Sequence, residues 1–254
     1  MPNWLIPWIV AAVALWPLVN IEKRVHRQIQ ALGLLLTNNP QAAVLIYYLS
    51  LLPGVALHEA SQWLLAFILR VKIKKFQLWP EKRGKVIRLG LVEIDDKTDS
   101  VRATLIGMVP LATGVAAIAL IGGWRFDVQA LLSALGTGDL PTIGAGFNTF
   151  ISTPDFWFWI YLVFAIANAM LPEQHDRINW WLPVGVVAVI TAFLLFLDLG
   201  IVLQALLEGI FLKIANALSF TMVLALAIDL FVLGLIWLAI KIFSRLLNRE
   251  LEYQ

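Results

Sequence analysis

Residues 41–69 read QAAVLIYYLSLLPGVALHEASQWLLAFIL, with Glu59 as the one charged side chain. A helix of that length rises further than the roughly 30 Å of bilayer hydrocarbon, so the stretch is long and apolar enough to cross a membrane. The rest of the chain has the same character. Of its 254 residues, 60% are hydrophobic and 14% charged, and mean hydropathy is +0.82; a soluble domain of this size exposes far more charge. Trp4, Trp8, Trp16, Trp124, Trp157, Trp159, Trp180 and Trp181 stand at or near the ends of apolar runs, where tryptophan collects at the membrane–water interface.

Working outward, further spans are expected at 4–19, 101–122, 156–171, 182–197 and 220–243. A helical pattern at 201–218, carrying Glu208 and Lys213, either spans or lies in the interface. The fold class is therefore an all-α polytopic membrane bundle of six transmembrane helices, seven if 201–218 crosses, in one domain without internal repeats. The N-terminal stretch has no positive region before it and no small-residue cleavage site after it, so it reads as a retained helix. A polar stretch at 22–30 follows it and continues as an amphipathic or interfacial helix to Leu36, stopped by Asn38-Asn39-Pro40. Residues 123–154, rich in Gly, Thr and Pro, are expected to form a loop.

The segment 71–97 differs in kind. Val, Ile and Phe alternate with Lys over 71–79 and 86–94, and Pro80–Lys85 breaks the two runs, a pattern that predicts a β-hairpin. Its basic residues (Arg70, Lys72, Lys74, Lys75, Lys82, Arg83, Lys85, Arg88 and Lys97) place it and the C-terminal tail in the cytoplasm. The protein is expected in a bacterial inner membrane or an internal membrane. Lys23, Arg24 and Arg27 then fall on the outer side, unless the first segment does not span or its continuation lies flat. The chain has no cysteine, which excludes disulfides and thiolate metal sites. Its net charge of +2 gives no reason to expect nucleic acid; lipid and a membrane-protein or peptide partner are the expected contacts.

Ionisable residues at membrane depth are costly, which makes them functional candidates. In LHEASQW, His58 and Glu59 begin a zinc-binding His-Glu-x-x-His pattern, but Gln62 occupies the second ligand position. Residues four apart on a helix share a face, and the Glu beside the first His serves as general base. A second polar cluster, Asn168, Pro172, His175 and Asp176, ends the span at 156–171. The bland alternatives are a buried polar pair at His58-Glu59 and a capped helix end at Asn168–Asp176. Gly107, Gly114, Gly122 and Gly123 read as helix-packing contacts, and Asp229 sits mid-span with no partner evident from sequence.

The LHEASQ helix, the basic hairpin after it and the Asn…Pro…Asp segment together resemble the site-2-protease family of intramembrane zinc metallopeptidases, over about half the chain (residues 51–177). The family's third zinc ligand is an Asp eight residues after a helical Asn, with proline between. Asn168, Pro172 and Asp176 keep that arrangement. The resemblance implies His58 and Asp176 as zinc ligands, Glu59 as catalytic base and Asn168 near the substrate backbone. Two departures stand out: Arg177 replaces the family's glycine, and Gln62 replaces the second histidine. An amide is a poorer zinc ligand than imidazole. Three readings of Gln62 stay open: the metal is lost, leaving a pseudo-protease that binds, assembles or scaffolds membrane proteins; His175 supplies the missing imidazole; or Gln62 coordinates weakly or through water. A small transporter would need inverted repeats, which the chain lacks.

Overall fold

A computed structural model describes residues 4–77, 79–83, 86–88, 91–126, 128–172, 176 and 178–247. The chain opens with α1 (Leu5–Thr37) and α2 (Pro40–Ile68). No break separates the apolar start of α1 from the expected interfacial helix: one helix of 33 residues runs through both. Nothing between Val19 and Ala31 stops it, and Val25, Ile29 and Gly33 continue at four-residue spacing the buried face begun by Ala11, Ala14 and Leu18. Asn38 then adopts a left-handed conformation (φ 52°) that ends α1, a geometry asparagine tolerates. The Asn39 side chain accepts a hydrogen bond from the Gln41 amide at 2.8 Å, and Pro40 takes the first turn of α2, where its missing N–H is harmless.

After α2, strand β1 (Ile73–Gln77) is followed by β2 (Glu81–Arg83), β3 (Val86–Arg88) and β4 (Leu91–Ile94). β1 pairs antiparallel with β4, Phe76 opposite Val92, and β2 pairs with β3. The expected antiparallel pairing is thus present in β1 and β4, but Glu81–Arg83, inside the expected break, forms strand β2. The hairpin does not project from the end of α2 but folds back along it: Phe76 meets Trp63 (ring centroids 6.5 Å) and Trp79 meets Tyr48 (5.5 Å). A cavity of about 870 Å³ separates Trp79 and Pro80 from the first turns of α2.

The remaining helices are α3 (Ser100–Trp124), α4 (Val128–Thr137), α5 (Leu140–Ile151), α6 (Phe156–Ala167), α7 (Trp181–Phe196), α8 (Gly200–Leu206) and α9 (Leu212–Leu247), with a π-helical turn at Leu207–Phe211. The expected loop over 123–154 is instead largely the helical pair α4–α5. Gly138 (φ 68°) makes the turn between them. Asp139 caps α5 by accepting from the Thr142 amide at 3.1 Å, so Pro141 falls in a first turn, where proline fits.

Among the described residues, four helical runs are long and apolar enough to cross a membrane: α1, α2, α3 and the continuous Gly200–Leu247. The pair α5–α6, bent by 86°, is either a broken span, which would be a fifth, or a re-entrant loop. That is fewer than the six or seven spans expected. The segments 201–218 and 220–243 merge into one run, and α7, at 16 residues, is shorter than the roughly 20 a span needs.

Lipid tails are as apolar as leucine, so helices in a membrane associate through close packing rather than hydrophobic burial. A Cβ at Gly54 would overlap the Ala165 carbonyl, one at Gly114 the Met170 side chain, one at Gly107 Ile178 and one at Gly122 Phe220. Gly54, Gly107 and Gly114 therefore bring α2 and α3 onto α6 and the segment after it. Gly123, also expected to pack, has nothing within 4 Å, because it lies where α3 leaves the bundle.

Candidate functional site

The close approach at Gly54 sets up the site one turn further along α2. There His58, Glu59 and Gln62 are all buried. On the facing chain, α6 stops at Ala167 with Asn168 as its cap, and Pro172 prevents resumption of the helix. The Ala169 carbonyl, past the helix end, lies 2.6 Å from His58 Nδ1. A carbonyl can only accept, so Nδ1 carries the proton and Nε2 presents its lone pair.

That lone pair meets Gln62. The Gln62 amide nitrogen lies 3.2 Å from His58 Nε2 and donates to Asp176 Oδ1 at 2.8 Å. Both neighbours are acceptors, so the network orients the amide with its NH₂ between them. Asp176 is positioned by α3. Its Cβ lies close to Gly107, and the Asn179 amide donates to the buried Thr104 hydroxyl at 3.0 Å. The structure therefore brings His58, Gln62 and Asp176 together, with Glu59 one position along α2. His175 lies outside the described residues.

Asn168 does something the sequence did not disclose. Its amide donates to Asp229 Oδ1 of α9 at 2.6 Å and to the Phe164 carbonyl at 3.0 Å, which supplies Asp229 with the partner that was not evident. Both residues are buried, Asp229 to 1% exposure, and Asn168 Oδ1 and Asp229 Oδ2 have no hydrogen-bond partner. Two polar residues buried in apolar spans were the available signal. Neither the Ala169 carbonyl nor Thr104 left any mark in the sequence.

Compared with protein-family models, curated proteins and solved structures, the chain matches none. The likeness to site-2 proteases rests on the residues above.

Zinc, which that likeness implies, can be tested against the donor set. A catalytic zinc site takes three protein ligands and an open position. His58 Nε2 and Asp176 face a common point, but the group between them is an amide NH₂, which has no lone pair to give. Turning the amide over would aim its oxygen at the Asp176 carboxylate and break both hydrogen bonds. Among the described residues, no group of three or more His, Asp or Glu is arranged to hold a metal ion. The described residues do not fit zinc.

Proposed function

We propose that this chain is a non-hydrolytic membrane protein of site-2-protease-like design, a pseudo-protease that holds a segment of a membrane-protein partner beside His58, Gln62 and Asp176. The observation that carries the reading is the Gln62 amide, whose nitrogen lies within hydrogen-bond reach of both His58 and Asp176. Its two N–H groups do as donors what a cation does as a Lewis acid: they hold an imidazole lone pair and a carboxylate together. In this reading six crossings are made by α1, α2, α3, the α5–α6 pair, the Gly200–Leu247 run and α7, the last a short crossing of 16 helical residues. The root of the basic hairpin, at Arg70, Lys72 and Lys97, and the C-terminal tail face the cytoplasm of a bacterial inner membrane or the equivalent side of an internal membrane.

One observation favours the competing reading, a zinc peptidase with Glu59 as base. The His58 Nδ1 contact with a backbone carbonyl is the outer-shell support that metal-ligating histidines receive.

Metal analysis of the purified protein separates the two, read beside incubation with a reconstituted single-span peptide. The expected result is no stoichiometric zinc, and peptide retention without cleavage that a chelator leaves unchanged. One zinc per chain that disappears in Asp176→Ala, or chelator-sensitive cleavage, overturns the proposal.

A further inference from the structure

At the end of α3 away from the hairpin, the apolar run gives way to Gly123, Trp124 and Arg125. The Arg125 guanidinium lies 3.9 Å from the centre of the Trp124 ring and 4.6 Å from that of Trp159, and the two indoles meet edge-on. Arg125 Nε is shut off from solvent with no acceptor, and among the described residues no carboxylate pairs with the side chain. Two other basic residues, Lys74 after α2 and Arg102 at the start of α3, are paired with carboxylates within the chain. Lys74 is bonded to Asp96 and stands 3.8 Å from Asp95, and Arg102 is 3.3 Å from Asp99.

An unpaired arginine held by two tryptophans at the end of a span has a specific chemistry. The faces of both indoles receive the guanidinium carbon, a cation–π arrangement Arg adopts more readily than Lys. With no carboxylate paired to it among the described residues, the guanidinium keeps N–H donors for a ligand, and two such donors match two oxygens of a phosphate. Trp124 is 72% exposed and Trp157, near the start of α6, is 65% exposed, which puts exposed indoles where lipid headgroups begin. We propose that Arg125, framed by Trp124 and Trp159, binds the phosphate of an anionic lipid headgroup. The site is separate from the His58 cluster and stands or falls independently of it.

Native mass spectrometry of the full chain in zwitterionic detergent tests this, with phosphatidylglycerol, phosphatidylcholine and inorganic phosphate as separate probes. The wild type is expected to retain phosphatidylglycerol in preference to phosphatidylcholine, and Arg125→Ala to weaken that binding about fivefold. Arg125→Lys keeps the charge but lacks the planar fork, so it weakens binding by less. Inorganic phosphate is expected not to displace the lipid. Arg125→Gln keeps a polar head on a similar stem and decides the matter if the alanine variant does not fold. Phosphatidylglycerol binding by the uncharged variants equal to wild type overturns the site, and displacement by inorganic phosphate overturns the lipid as its ligand.

Discussion

Two buried polar clusters meet the chain at consecutive residues after α6. At Ala169 the backbone joins His58, Gln62 and Asp176; at Asn168 the side chain joins Asp229. In the first, His58 and Gln62 have no polar atom buried without a partner, although Oε2 of the neighbouring Glu59 is buried without a hydrogen bond. The second leaves Asn168 Oδ1 and Asp229 Oδ2 without a donor. In hydrocarbon an unsatisfied polar group is expensive, so the clusters should respond differently to change. The cluster bridged by Gln62 should resist losing that amide, while the Asn168–Asp229 pair should lose little when simplified.

The largest expected effect comes from Gln62→His. It places a second imidazole one helical turn from His58, on the same face, and with Asp176 makes a three-ligand set. The variant is expected to carry one zinc per chain where the wild type carries none. At free zinc a thousandfold above Kd it should be stabilised by about 4 kcal/mol, read as a rise in melting temperature that a chelator reverses. Zinc in both proteins, or in neither, breaks the comparison. Gly54→Ala comes next. A methyl there pushes α2 off the Ala165 carbonyl and loosens both clusters, at a cost of about 2 kcal/mol in detergent unfolding. A variant as stable as wild type would show that the α2–α6 approach is not what holds them.

These expectations depend on contacts of which the sequence disclosed only part. Membrane class, the α2 helix and the hairpin follow from apolar run length and strand alternation, whereas His58 and Asp176 were brought together only by what the resemblance to site-2 proteases implies. Helix continuity did not follow from either. Charges at 22–27 look like the end of a span until Val25, Ile29 and Gly33 are seen to continue the buried face of α1. The glycines and Pro141 that suggested a loop at 123–154 turn out to be a turn between helices and a permitted first-turn proline. Gln62 was legible as a missing ligand. Which atom it presents depends on the tautomer of His58, set by a backbone carbonyl that no residue identity reveals. Asp229 was visible as costly, but its partner lies on a helix 61 residues away, and register between two uniformly apolar helices has no one-dimensional signature.

The smallest effects sharpen the comparison most. Gln62→Leu keeps the apolar volume but strips His58 Nε2 and Asp176 of their shared donor, leaving two acceptors facing each other; about 1–2 kcal/mol of stability should go. Asp229→Leu removes one hydrogen bond but also removes an oxygen that had no donor. Hydrogen bonds between membrane helices are worth about 0.6 kcal/mol on average, so the net change should be at or below that figure. Both variants are read in the same mixed-detergent unfolding assay. If Asp229→Leu costs more than Gln62→Leu, then Asp229 Oδ2 meets a donor or cation in the membrane, and the pair on α6 and α9 is the occupied site of the two.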